Sequence, residues 1–369
     1  MPKLKETRLE IDTKALSMNY QALTHGLKPS TKVMGVVKAF AYGTDSIIVG
    51  KKLVELGASY LAVAYIEEGM RFRRRGIQTP ILVFYPQLED LTKLIKYNLI
   101  PSVYNFNFLQ HLIEKLKQKK VSNFPVHIKM NTGMNRLGFD MDQLPLLKDL
   151  LTQQNAVKVE ALFSHLSSAG NPNEKEFTHA QIALFKKAIR YFETHIQQGF
   201  LTHLCNTSGT INYPEAEFDM VRTGIGLYGY GNNEKENSMV LPIAELKTVI
   251  SQLREIPAGA SVGYDRKFKA TATTKVATLP LGYADGISRI YGNGKACVLI
   301  NGQKAYTIGN ICMDTLMVDV TPIENCKEGS EVLVFGKAHT ALDFDVQKQS
   351  IPYELVTCIS QRVTREVVS

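Results

Sequence analysis

The sequence predicts an α/β protein: an N-terminal (β/α)8 barrel of TIM type followed by a C-terminal, mostly β domain. Three observations carry that expectation. First, the leading two thirds of the chain alternates short apolar, β-branched runs with amphipathic stretches, and eight such units over about two hundred residues match a barrel. Second, no Gly-x-Gly-x-x-Gly follows the first apolar run, which weighs against a doubly wound sheet. Third, beyond residue 238 the pattern shifts to brief β-branched segments separated by turns such as Asn293-Gly294 and Asn301-Gly302.

Residues 1–12 are expected to form a strand packing with the C-terminal domain, 13–238 the barrel, and 239–369 the β domain. Asp12 or Thr13 can cap a first helix carrying Ala15, Leu16, Tyr20 and Leu23. Barrel strands are expected at 32–38, 60–65, 80–85, 100–104, 125–130, 159–165, 201–205 and 219–222. Between them, 46–56 places Ile47, Ile48, Leu53 and Val54 on one helical face, and 173–198 is a long stretch rich in Lys, Glu, Gln and Ala. In the β domain, strands are expected at 245–250, 274–279, 296–300, 304–308, 315–320 and 331–335.

The chain has 369 residues, 44% hydrophobic and 21% charged, enough for two domains. Its net charge of +8 favours anionic ligands. The densest basic runs, Arg71-Phe72-Arg73-Arg74-Arg75 and Lys115-Leu116-Lys117-Gln118-Lys119-Lys120, fall at the ends of expected helices, where cations suit the dipole. No nucleic-acid motif accompanies either run. No apolar run is long enough to span a membrane. The opening Met1-Pro2-Lys3-Leu4-Lys5 is too polar for a signal peptide, so a cytoplasmic protein is expected. Cys205, Cys297, Cys312, Cys326 and Cys358 show no CxxC spacing, which argues against a disulfide framework and against a structural metal.

Barrel active sites gather at the C-terminal ends of the strands. Those ends are polar here. The first leads into Lys38, with Tyr42 four residues on; a lysine there can form a Schiff base with an aldehyde cofactor. The fifth runs through Lys129 into Asn131-Thr132-Gly133-Met134-Asn135-Arg136-Leu137-Gly138, and the sixth ends in Ser164-His165. The seventh ends in Cys205-Asn206-Thr207-Ser208-Gly209 and the eighth in Arg222-Thr223-Gly224-Ile225-Gly226. Small, hydroxyl-bearing loops after strands seven and eight suit a phosphate, which backbone N–H groups must approach closely.

Across nearly its whole length the chain resembles the alanine racemases of the fold-type III pyridoxal phosphate class. The resemblance rests on Val37-Lys38-Ala39-Phe40-Ala41-Tyr42-Gly43, Thr132-Gly133-Met134-Asn135-Arg136-Leu137-Gly138 and Val221-Arg222-Thr223-Gly224-Ile225. In the second domain it rests on Val262-Gly263-Tyr264, Leu281-Gly282-Tyr283-Ala284-Asp285-Gly286, Ile311-Cys312-Met313-Asp314 and Ile351-Pro352-Tyr353. The resemblance implies a homodimeric isomerase that interconverts L- and D-alanine and supplies D-alanine for peptidoglycan. It implies that Lys38 holds pyridoxal phosphate and is one of two acid–base groups. Tyr264 is implied as the other, donated with Met313 by the partner protomer. Tyr42, Thr207 or its neighbour Ser208, Gly224, Ile225 and Tyr353 are implied around the phosphate, and Asn206, His165 and Arg222 among the other cofactor-binding residues. Arg136 is implied at the cofactor ring oxygen and the substrate carboxylate, with Met313 assisting. Lys129 is implied to orient Arg136, in many relatives as a carbamate, and Tyr283 and Arg289 to line the access passage.

Two groups on opposite faces of an α-carbon racemise it without the amino acid turning over. A free tyrosine is a poor base at neutral pH, and the implied chain Tyr264–His165–Arg222 would favour its phenolate. A guanidinium at Arg222 beside the cofactor's ring nitrogen cannot accept that nitrogen's proton, which implies a weaker electron sink and less transamination. The chain departs from the common family pattern at Phe40, where many relatives have Asp or Asn, and at Thr44-Asp45, where they have His-Gly. Decarboxylases of basic amino acids share the two-domain plan but place an acid where Arg222 stands. Non-catalytic cofactor-binding relatives are single barrels, which residues 239–369 argue against. A broader racemase and a serine-preferring relative are nearer rivals; the bulk of Tyr353 favours the alanine methyl.

Overall fold

The structure, a computed structural model, describes residues 6–368. The chain divides into two compact units. One comprises the N-terminal residues through Leu16, Tyr42–Asp45 and the chain from Leu241 on; the other comprises Ser17–Ala41 and Ser46–Val240. A strand of the first unit, β1 (Arg8–Asp12), opens the described chain.

The second unit is the expected closed barrel of eight parallel strands. These are β2 (Lys32–Val36), β3 (Tyr60–Val63), β4 (Ile81–Val83), β5 (Ile100–Val103), β6 (Phe124–Lys129), β7 (Val157–Phe163), β8 (Leu201–His203) and β9 (Met220–Thr223). Closure is explicit in the pairing of β2 with β9, which sets Met34 beside Arg222 and Gly35 beside Thr223. The strands read as continuous apolar runs because side chains are buried on both faces, inside the barrel and under the helices. Two of the helices are Ser46–Glu55 and Lys175–His195. The latter begins after a short 3-10 turn at Pro172–Glu174, so it is shorter at both ends than the sequence pattern suggests. The expected strand 32–38 also stops early, at Val36, because the backbone turns left-handed just after Lys38.

The first unit is mostly β. Its strands are β10 (Ala244–Val249), β11 (Gln252–Ile256), β12 (Ser261–Val262), β13 (Phe268–Lys269), β14 (Thr274–Leu279), β15 (Cys297–Ile300), β16 (Gln303–Tyr306), β17 (Leu316–Asp319), β18 (Glu331–Phe335) and β19 (Thr364–Val368). They form a six-stranded sheet in the order β16-β15-β18-β10-β1-β19, a three-stranded sheet β11-β14-β17 and the hairpin β12-β13. β1 lies antiparallel to β10 and parallel to β19. Charges support that pairing: Lys247 on β10 donates across to Glu10 on β1, and Arg8 donates to Glu10 on its own strand and to Glu331 on β18. Asp12 caps the first helix, Thr13–Thr24, by accepting from the Lys14 and Ala15 N–H groups. Residues 1–5 of the expected leading strand lie outside the described residues.

Gly43 is the tightest point of the first unit. Its φ is +82°, and an added Cβ would lie 1.9 Å from the Val356 carbonyl oxygen. Arg365 holds the same segment by donating to the Gly43 and Thr44 carbonyls. Gly43→Ala is therefore expected to destabilise the protein by about 2 kcal/mol or more, read as a lower urea midpoint in equilibrium unfolding. An unchanged midpoint would show that the segment relaxes freely.

Candidate active site

The strand ends of the barrel unit carry most of the candidate residues. Arg222, on β9, is buried and points into the interior. It donates to His203 Nδ1 at 2.8 Å, His165 Nδ1 at 3.1 Å, the Ser164 carbonyl at 2.8 Å and the Leu204 carbonyl at 3.0 Å. Among the described residues none of its partners is a carboxylate. Burial lowers its pKa to about 10. An arginine can only donate, so both histidines present a lone pair at Nδ1. Burial, and then the Arg222 cation, push both far below the usual histidine value, so they are neutral. A neutral His165 with an accepting Nδ1 carries its hydrogen on Nε2.

Three further cations act on His165: Lys129, Arg136 and Lys38. Lys129, at the end of β6, is buried, with its ammonium 5.6 Å from the Phe163 ring centroid. Burial, and then Arg222, Arg136 and Lys38, lower its pKa to about 7. The ammonium is thus disfavoured in the folded state. Between about pH 7 and the ordinary lysine value of 10.5 the unfolded chain binds a proton that the folded chain releases, so this group makes folding more favourable as pH rises through that window. Lys38 is lowered by burial first and Arg136 second, with Glu68 opposing. Arg136 itself is exposed, on a loop organised by Asn131, whose Oδ1 accepts from the Gly133 and Asn135 N–H groups and whose Nδ2 donates to Asp140. Gly138 closes that loop at φ +123°, where a Cβ would lie 2.6 Å from the Asn131 nitrogen.

The loops after β8 and β9 meet at Thr207. Its hydroxyl oxygen accepts from Gly224 N–H at 3.0 Å and Gly226 N–H at 3.4 Å, leaving its own hydrogen to donate. The close approach needs glycine, since a Cβ on Gly226 would lie 2.6 Å from Thr207 Cγ2. Ile225 opens the next turn and is buried. Neighbouring side chains are committed to the scaffold. Ser208 donates to Glu236 and accepts from Asn232. Asn206 accepts from Gly209 N–H and donates to the Leu166 carbonyl. Of the two hydroxyls the sequence left open, Thr207 is the one with a hydrogen to spare.

Lys38 begins an unusual turn. Ala39, Phe40, Ala41 and Tyr42 all have φ between 52 and 55°, a region that disfavours L-residues. Glu68 pins it: its carboxylate accepts from Ala39 N–H at 2.7 Å and from Ala64 N–H at 2.6 Å. Arg71 lies over the Phe40 ring at 4.7 Å, so the aromatic residue that departs from the common pattern has a cationic partner. Tyr228 supports β2 from below by donating to the Val36 carbonyl. Glu68 has no signal in the sequence, and Arg71 stands out there only as part of a basic run at a helix end.

The first unit holds the remaining candidates. The Tyr42 and Tyr353 rings lie 6.4 Å apart. Tyr264, 68% exposed, opens a strained turn in which Asp265 and Arg266 are left-handed. Asn310 donates to the Tyr264 carbonyl and to Asp265. The loop that follows Asn310 presents Met313, and the Cys312 and Met313 carbonyls accept from Tyr283 and Ala284 N–H. Arg362 bonds both Asp285 and Asp314, tying these two loops together. Tyr264, Met313 and Tyr283 are thereby linked through one set of hydrogen bonds, all three exposed. Arg289 lies on a separate short turn, Arg289–Tyr291.

Removing a charged acceptor costs about 1.5–3 kcal/mol. In Glu68→Ala, exchange of the Ala39 and Ala64 amides is therefore expected to accelerate about tenfold or more by mass-spectrometric hydrogen exchange. Unchanged protection would mean that Glu68 does not hold the turn.

The family model described as alanine racemase, N-terminal domain, matches residues 11–232, and that of the C-terminal domain matches 243–367. The alanine racemase of Methanococcus maripaludis is 36% identical over 366 residues, covering 96% of this chain and 97% of its own. A solved alanine racemase of Clostridium difficile superposes with a TM-score of 0.90 at 31% identity, over 99% of this chain and 96% of that one. That of Bartonella henselae, solved with covalently bound pyridoxal phosphate, gives 0.89 at 26% identity over 99% and 100%. Matched over both halves, the chain belongs to the alanine racemase family.

Proposed function

We propose that the protein is a pyridoxal-phosphate-dependent racemase that interconverts L- and D-alanine and supplies D-alanine for peptidoglycan. The observation that carries this reading is the set of four basic side chains, Lys38, Lys129, Arg136 and Arg222, acting on His165 at the strand ends of the barrel. Such a set attracts a ligand with a phosphate and a carboxylate. The donors fit the cofactor: an amine lowered by burial at Lys38, a spare hydroxyl hydrogen at Thr207, and a buried guanidinium bonded to neutral acceptors. Tyr42, Gly224, Ile225 and Tyr353 complete the phosphate neighbourhood in this reading.

When bound, pyridoxal phosphate supplies an electron sink that acidifies the α-carbon hydrogen of the substrate. Lys38 moves a proton on one face of that carbon and Tyr264 on the other. One withdraws as the other delivers, so no proton is lost from the pair and the configuration inverts. His165 can donate its Nε2 hydrogen to the Tyr264 oxygen, because its Nδ1 accepts from Arg222. That bond stabilises the phenolate without a charged histidine. Arg222 would hold the cofactor's ring side and, as a donor only, would not take up a proton there. Arg136 holds the substrate carboxylate. The bulk of Tyr353 limits the pocket to small side chains, which favours alanine over serine.

The same reading makes the enzyme a homodimer in which Tyr264 and Met313 serve the site of the second protomer, with Tyr283 and Arg289 at its access passage. The exposure of Tyr264, Tyr283 and Met313 supports a face built to be covered. A cytoplasmic place is part of the proposal, and five free cysteines fit a reducing compartment. No helix among the described residues is long and apolar enough to cross a membrane.

Incubated with L-alanine alone, the purified protein is expected to form D-alanine by chiral chromatography until the two are equal. Absence of D-alanine from cofactor-loaded protein would refute the assignment. Lys38→Ala and Tyr264→Phe should each lose at least about a hundredfold in rate. Dissociated, mixed and reassociated, the two variants should regain up to about one quarter of wild-type activity, because mixed dimers hold one intact site of two. A mixture as inactive as its parents would refute donation across the dimer.

Lys129 yields a second expectation. With its pKa near 7, much of its amine is neutral at physiological pH and able to attack carbon dioxide. In 13C-bicarbonate the wild type should show a carbamate resonance that Lys129→Ala lacks. A wild-type spectrum without it would remove the modification.

A further inference from the structure

Arg222 is one end of a chain of polar groups that runs from the barrel interior to the half-buried Glu160. His203 accepts from Arg222 at Nδ1, so its neutral ring carries hydrogen on Nε2 and donates to His127 Nδ1 at 3.1 Å. His127 in turn carries hydrogen on Nε2 and donates to Glu160 Oε1 at 3.3 Å. Tyr60, the first residue of β3, donates to the same Glu160 oxygen at 3.0 Å. Both histidines are wholly buried. The Phe163 ring stacks on His203 with centroids 4.7 Å apart. Burial lowers both histidines; for Glu160 burial acts upward, and His127, Tyr60 and the Lys158 charge together outweigh it and hold the carboxyl below its usual range.

The direction of every bond is forced. The arginine must donate at one end and the carboxylate must accept at the other. Two neutral imidazoles therefore line up with lone pairs toward the cation and N–H groups toward the anion. The reverse tautomers would aim an N–H at Arg222 and a lone pair at Glu160.

We propose that Glu160 is a positioning residue for Arg222: with the arginine donating at one end, the Glu160 charge at the other holds His127 and His203 in their Nε2–H tautomers, so that His203 Nδ1 stays an acceptor for the guanidinium. The inference rests on the reading that Arg222 faces the cofactor ring. The charge acts from the far end of that chain of polar groups and touches neither cofactor nor substrate.

The test uses 15N-histidine-labelled full-length protein and its Glu160→Gln variant. Wild type should show His127 and His203 as neutral Nε2–H tautomers with ring protons protected from exchange. A glutamine can accept or donate, so Glu160→Gln should lose that single-tautomer signature. Its affinity for pyridoxal phosphate should fall about tenfold, the scale seen when the outer partner of a liganding group is lost. An Nδ1–H tautomer or an unprotected ring proton in wild type overturns the proposal, and that measurement needs no variant to fold. So does a folded Glu160→Gln with unchanged tautomers and cofactor affinity. A wild-type protein with both ring protons and no uptake of pyridoxal phosphate overturns the racemase reading and not the chain.

Discussion

Arg222 is a buried cation whose direct partners are all neutral: two imidazoles and two carbonyls. An isolated charge in a protein interior is costly unless its hydrogen-bonding capacity is met. Meeting it with imidazole lone pairs has consequences throughout the barrel. Added to burial, it keeps His165 and His203 neutral and lowers the Lys129 amine further, and it leaves the histidines' remaining hydrogens on Nε2. It also leaves positive potential at the strand ends, ready for an anionic ligand. Replacing one accepting histidine with a carboxylate would relieve the arginine and, at the same stroke, weaken the attraction for phosphate.

The first unit solves a different problem. Three of its functional candidates, Tyr264, Tyr283 and Met313, are exposed aromatic and sulfur-bearing side chains on loops, where order has to come from the backbone. Asn310 braces the turn of Tyr264, carbonyls of Cys312 and Met313 receive the N–H groups of Tyr283 and Ala284, and Arg362 joins Asp285 to Asp314. Gly282 permits that loop pairing, since a Cβ there would lie 2.4 Å from both the Cys312 and Met313 carbonyl oxygens. A braced backbone keeps these loops ordered while their side chains stay exposed.

The barrel was legible because burial on two faces leaves unbroken apolar runs, and Lys38 stood out as a charge directly after one of them. What the sequence hid is what depends on distant partners. β11 alternates weakly and is largely exposed, and β19 exists by pairing with β1 at the other end of the chain. His127 and His203 lie in strands that read as core, and only the closed barrel brings them within bonding distance of each other and of Arg222. Two polar residues at interior strand positions are a faint signal of such a network. Glu68 is 29 residues from the N–H it receives, and nothing in its helix pattern separates it from its neighbour Glu67. The site roles of Tyr264 and Met313 came from family resemblance alone, since neither strand pattern nor spacing marks them.

The left-handed turn after Lys38 has a consequence in time. A left-handed turn disfavours L-residues by about 1–2 kcal/mol each, so four in succession do not persist in an isolated segment. The turn is held where Glu68, carried by the helix Ile66–Arg74, meets the end of β3 and the Ala39 amide. A nascent chain therefore possesses Lys38 long before it possesses the direction in which that lysine points. The direction of this amine is thus set in part by a contact with the second βα unit, and not by the segment that carries it alone.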